Sequence, residues 1–185
     1  MQDWNQKRNS KQHYDLQAEI YDKQYAGEQD NKIESMLETL DLKANELVLD
    51  LGCGTGFLLE HISEKVAFIV GADISKKALL WAKKRANTKS NVDLVCADAD
   101  NTPFVDNLFD KIFSVTVLQN MPEPTKTIRE IKRAGKPEAV FAVTGLKKKF
   151  TKESFVELLK NSRLKLISLR EDENLKGYVA VCSNS

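Results

Sequence analysis

The sequence predicts an α/β protein with a doubly wound, mostly parallel sheet of seven strands and helices on both faces. Three features predict it. Five short β-branched runs are apolar almost throughout, helical patterns separate them, and the last two apolar runs flank a polar stretch as a hairpin would. Continuous rather than alternating apolar runs suit strands that are buried on both faces. Right-handed crossovers then gather such strands into one sheet, with a ligand crevice at their carboxyl ends where the strand order reverses.

Residues 1–30 are polar but carry Trp4, Tyr14, Leu16, Ile20, Tyr21 and Tyr25, and read as a helical arm over the crevice. Ile33, Met36, Leu37 and Leu40 recur at helical spacing and lead into a first strand at 47–51. A helix at 57–64 and a strand at 68–72 follow, and Ser75 supplies an N-cap for a helix at 76–85. Strands are expected at 92–96 and 112–117, a helix at 125–133 and a fifth strand at 140–144. Thr151 can cap a helix carrying Phe155, Leu158 and Leu159, and the hairpin pairs 164–169 with 178–182. With no linker or internal repeat in the pattern, residues 1–185 are expected to form a single domain.

Charged residues make up 30% of the chain and cancel to a net +1, so no overall field draws it to nucleic acid or an anionic surface. No run approaches the roughly 20 apolar residues that cross a bilayer, and the start lacks a signal-like apolar stretch. The expected location is cytoplasmic. Cys53, Cys96 and Cys182 are odd in number and lie outside any C-x-x-C spacing, which argues against disulfides and a zinc site.

Chemistry concentrates where the first strand runs into Asp50-Leu51-Gly52-Cys53-Gly54-Thr55-Gly56. Alternating glycines let backbone approach a ligand closely, and the following helix offers free N–H groups to an anion. The second strand ends at Asp73-Ile74, where a carboxylate can accept from both hydroxyls of a ribose. The third ends near Asp98-Ala99, at the edge of the crevice where an adenine amino group would lie. The spacing is G-x-G-x-G rather than the G-x-G-x-x-G of dinucleotide sites, and Asp50 sits just upstream, which favours a cationic ligand over a pyrophosphate.

These residues resemble the class I S-adenosylmethionine-dependent methyltransferase superfamily, over nearly the whole chain from Tyr14 to Cys182. The resemblance implies a Rossmann-like fold with an antiparallel seventh strand between the fifth and sixth. It also implies S-adenosyl-L-methionine as cofactor, held by Asp50, Gly52, Cys53, Gly54, Gly56, Asp73, Ile74, Asp98, Ala99 and Leu118. The stretch 108–112, Leu118-Gln119-Asn120-Met121 and 129–131 are similar to the ubiquinone/menaquinone-biosynthesis branch and its small-molecule relatives. Two departures argue against a quinone acceptor: Pro137-Glu138-Ala139 replaces the usual Pro-Gly-Gly turn, and the substrate-covering insertion shrinks to 146–150. Ser114-Val115-Thr116-Val117 lacks the Asn-Pro-Pro-Tyr element of amino-group methylation.

Methyl transfer from a sulfonium needs positioning more than a base. Asn120, Tyr21 and His13 are the catalytic candidates, with Gln119, Glu123, Tyr14 and Asp22 as further polar groups nearby. Cys53 reads as a small residue in a crowded loop, and His61 as a packing or solvent-facing residue. A small-molecule methyl acceptor, of unknown identity, is the favoured reading. Lys147, Lys148, Lys149 and Lys152 leave RNA, or a protein served through an adapter, as the alternative. A non-catalytic S-adenosylmethionine-binding module is the remaining one.

Overall fold

The computed structural model describes residues 2–184, apart from the side chains of Gln2 and Tyr21. Seven strands form one sheet in the order β3-β2-β1-β4-β5-β7-β6. They are β1 (Leu47–Leu51), β2 (Phe68–Asp73), β3 (Val92–Cys96), β4 (Phe109–Ser114), β5 (Gly135–Leu146), β6 (Leu164–Arg170) and β7 (Gly177–Asn184). The first five pair in parallel, and β7 runs antiparallel to both β5 and β6. The antiparallel last strand therefore lies between the fifth and sixth, as the resemblance implied.

Helices cover both faces because neighbouring strand residues point opposite ways. Val48, Ile69, Phe113 and Ala142 pack with Ile33 and Met36 of α2 (Tyr21–Leu37), Leu58, Leu59 and Ile62 of α3 (Phe57–Ile62) and Ala82 of α4 (Lys76–Arg85). Leu49, Ile112, Phe141 and Val143 turn to the other side, against Ile128 and Ile131 of α5 (Pro124–Ala134) and Phe155 and Leu159 of α6 (Lys152–Asn161). The order reverses between β1 and β4, which puts the crevice above their carboxyl ends.

Two predicted caps are present. The Ser75 hydroxyl accepts from the Ala78 N–H, and Thr151 forms a capping box with Ser154. Other expectations shift. The arm is α1 (Gln2–Gln17) followed by α2, and the periodic stretch from Ile33 is the end of that second helix rather than a separate one. The strand expected at 112–117 stops at Ser114, because Thr116 takes a left-handed φ of 64° and turns the chain out of the sheet. The strand expected at 140–144 begins at Gly135. At the sheet edge, β3 is half-buried rather than covered on both faces.

Candidate functional site

Beyond β1 the chain bends sharply, and the N–H groups of Gly52 and Cys53 both donate to the Ala72 carbonyl of β2, at 2.7 and 3.1 Å. Gly52 and Gly54 have φ of 77° and 54°, which glycine reaches without strain. Their surroundings differ. A Cβ on Gly52 would meet Val117 Cγ2 at 2.2 Å, whereas one on Gly54 would have no atom within 4 Å, so Gly54 borders open space.

That space is a cavity of about 120 Å³ between the carboxyl ends of β1, β2 and β4 and the inner side of the arm. Asp50, Gly52, Cys53, Gly54, Asp73, Ile74, Asp98 and Ala99 line it, and so does Asn120. Two of the residues predicted to hold the cofactor do not. Gly56 faces Leu59 and Ala82, where a Cβ would come within 3.0 and 3.2 Å, so it serves the packing of α3 on α4. Leu118 is fully buried in the core beside Leu49 and Ile128, and Val117 faces the cavity in its place.

Charge is unbalanced at the crevice floor. Asp50 is 2% exposed, and burial followed by the charge of Asp73 pushes its carboxyl up to about 8. No hydrogen bond or ion pair among the described residues reaches it. The carboxylate of Asp73 accepts from the Gly54 N–H at 2.9 Å and the Ser75 N–H at 2.7 Å. Burial raises its pKa and those two N–H groups oppose the rise. Burial first, and then the charges of Asp50 and Asp73, push the Cys53 thiol well above its ordinary value, which disfavours the thiolate.

The arm closes the crevice with polar contacts. Lys7 Nζ donates to both oxygens of Asp98 at 2.8 Å and lies 2.5 Å from Asp100. Asn120 Nδ2 donates to the Tyr14 hydroxyl at 2.9 Å and to the Thr116 carbonyl at 2.8 Å, and the Ser75 hydroxyl donates to Asp15 at 2.5 Å. The Thr55 hydroxyl donates to Asp22, which also pairs with Arg85. From α2, Gln29 accepts from the Thr116 hydroxyl at 3.3 Å, and buried Lys32 donates to the same oxygen at 3.2 Å while pairing with Glu28.

His13 stands on the exposed side of α1, edge-on to Tyr14, and the structure does not bring it to the cavity. The Tyr21 side chain lies outside the described residues. Gln119 Oε1 is buried without a hydrogen-bond partner among the described residues, away from the cavity lining, and Glu123 pairs with Lys126. Sequence reasoning missed Lys7, Ser10, Gln29 and Thr116, all of which line the cavity. The available signal was the spacing of Lys7, Ser10, Tyr14 and Ala18, which share one face of a helix. In the lysine cluster, Lys147 donates to the carbonyls of Glu171 and Asp172 and Lys152 pairs with Glu171, so part of its charge is used internally. Among the described residues no group of His, Cys, Asp and Glu could hold a metal ion, and no helix is long and apolar enough to cross a membrane.

Residues 49–143, just over half of the chain, match the family described as "Methyltransferase domain". The chain is 38% identical over 104 residues to a demethylmenaquinone methyltransferase of Corynebacterium urealyticum, covering 56% of this chain and 43% of that protein. It is 34% identical over 133 residues to a malonyl-[acyl-carrier protein] O-methyltransferase of a Marinomonas species, covering 71% and 49%. The chain thus spans about half the length of the curated relatives it matches. Among solved structures, an S-adenosylmethionine-dependent methyltransferase of Aquifex aeolicus superposes with a TM-score of 0.72 at 22% identity, over 81% of this chain and 88% of that one.

Proposed function

The chain belongs to the class I S-adenosylmethionine-dependent methyltransferases, and we propose from that premise that it transfers the cofactor's methyl group to a small organic acceptor. Residues 1–185 act as one domain in this reading, with 1–30 as the arm over the crevice, in a cytoplasmic protein whose three cysteines stay free thiols.

One observation carries it: a buried carboxyl, Asp50, has no partner among the described residues and opens onto a glycine cradle at the reversal of strand order. A carboxyl buried there holds its proton up to about pH 8, and below that it needs a ligand of opposite charge in order to ionise. S-adenosylmethionine fits that requirement, with an ammonium for Asp50 and a carboxylate for the loop N–H groups. It fits the open side of Gly54 as well. Asp73 would take the ribose hydroxyls, and Asp98 with Ile74 and Ala99 the adenine. When bound, the cofactor supplies a sulfonium methyl open to in-line attack.

The protein's share is to hold an acceptor at the right distance and angle and to keep water out, work that the arm and the end of β4 are placed to do. Asn120, Thr116 and Gln29 offer neutral hydrogen-bonding groups on that side. Burial raises the Tyr14 phenol above its ordinary value, so it stays protonated at neutral pH and acts through hydrogen bonding rather than as a base. The two relatives are named for demethylmenaquinone and for O-methylation of malonyl-[acyl-carrier protein], which supports a small organic acceptor.

Calorimetric titration tests the reading. S-adenosylmethionine and S-adenosylhomocysteine should bind saturably and a dinucleotide should not, with Asp73→Ala losing at least tenfold in affinity. Wild-type affinity in that variant would sink the site assignment.

A further inference from the structure

We propose that Lys7 is the gate of the cofactor crevice: its ammonium occupies the carboxylates of Asp98 and Asp100, and helix α1 is a polar strap that the adenosyl group displaces on binding. The inference rests on the reading of Asp98 as the adenine partner and adds the control of access to it.

The first ground is competition for one carboxylate. Lys7 is 8% exposed and reaches both oxygens of Asp98 at 2.8 Å and Asp100 at 2.5 Å. Burial alone would lower its pKa, but hydrogen bonds to Asp100 and Asp98 more than reverse that, so the group is a bound ammonium. Asp98 therefore serves the closed arm and the bound base by turns.

The second ground is volume. The cavity under the arm, about 120 Å³, is well below the roughly 300–1,000 Å³ of ordinary small-molecule sites. A cofactor with both an adenosyl group and an amino acid needs space that α1 now fills.

The third ground is how the strap is fastened. Within α1 only Lys7 is buried among the residues described, and Trp4 and Leu16 are exposed. Polar contacts that hold the helix include the lysine latch, Asn120 on Tyr14, Ser75 on Asp15, a long contact from Gln6 to the Asn120 carbonyl and an exposed ion pair of Asp3 with Lys126 at 3.4 Å. Opening it returns charged and polar groups to water and uncovers little apolar surface, so the opened state lies within reach of binding. The observed association rate then scales with the fraction of molecules whose strap is open.

The test compares wild type with Lys7→Ala, Lys7→Arg and Asp100→Asn. Asp100 holds the latch but does not line the cavity, so its variant loosens the strap without touching the cofactor's surroundings. Association of S-adenosylhomocysteine is followed by stopped-flow tryptophan fluorescence, Trp4 being on the moving helix, and amide exchange of residues 3–17 is measured without ligand. Lys7→Ala and Asp100→Asn should associate on the order of tenfold faster and exchange faster through α1, while Lys7→Arg stays near wild type. Equal association rates and equal exchange in all four proteins would overturn the gate and leave the cofactor reading standing. Weaker binding by Lys7→Ala at an unchanged association rate would make Lys7 a cofactor ligand and also overturn it. Failure of every form to bind would overturn the cofactor reading and the gate together.

Discussion

Asp50 and Asp73 share one buried crevice, and the proton on Asp50 follows from that. Its carboxyl titrates near 8 in the folded chain and near 4 in the unfolded one, so between those values the native state binds more protons and stability falls as pH rises. Asp50→Asn removes that dependence. The variant should gain about 4 °C or more in Tm over wild type at pH 8 and much less at pH 5, taking about 2–4 °C per kcal/mol for a chain of this size. A difference independent of pH would mean that the carboxylate is ionised throughout. The two cradle glycines give a second residue-scale contrast. Gly54→Ala meets no atom and should lose only ~1–2 kcal/mol for a left-handed alanine, yet it should weaken cofactor binding. Gly52→Ala collides with Val117 and should fail to fold stably, which denaturant titration of the pair would reveal. At this scale the sequence was legible where a residue's type and its strand end coincide, as at Asp50, Asp73 and Asp98. Leu118 and Val117 could not be told apart, because the left-handed turn at Thr116 decides which of the two faces the crevice and no glycine announces it. Lys7 was illegible for a different reason: one lysine in a polar arm looks solvated until its partners, far along the chain, are placed beside it.

Among the elements, α1 and α6 are held in opposite ways. Helix α6 buries Phe155 and Leu159 and begins in a reciprocal cap between Thr151 and Ser154. Thr151→Ala should lower stability by about 1 kcal/mol, measured by urea unfolding with an unchanged slope. Helix α1 buries almost nothing apolar, so its amides should exchange orders of magnitude faster than those of β1 and β4, in a unit that opens before the sheet does. Equal protection of α1 and the central strands would contradict the polar fastening described above. Strands were easier to read than this arm because burial on two faces leaves a continuous apolar run. The exception, β3, is as β-branched as its neighbours but lies at the edge, and edge position is a property of strand order rather than of the strand's own residues.

For the whole molecule, the two apolar layers meet across one sheet, and a single cooperative transition is expected once the strap has opened. Calorimetric and van't Hoff enthalpies should agree near about 130 kcal/mol, from roughly 0.7 kcal/mol per residue. Two resolved transitions within 47–184 would contradict one domain. The seven-stranded order was within reach of the sequence because the terminal hairpin implied an antiparallel partner, although only the resemblance said where it would insert.

That insertion has a consequence for how the protein is made. On a ribosome, β5 emerges with its far edge bare, and β6 follows with nothing to join, because the strand that pairs with both is translated after them. A nascent chain must keep that edge from sticking to its neighbours until residues 177–184 are out. A premature stop between the end of β5 and Gly177 therefore yields a product with an open strand edge in the middle of its intended sheet, the kind of molecule that chaperones and proteases intercept first.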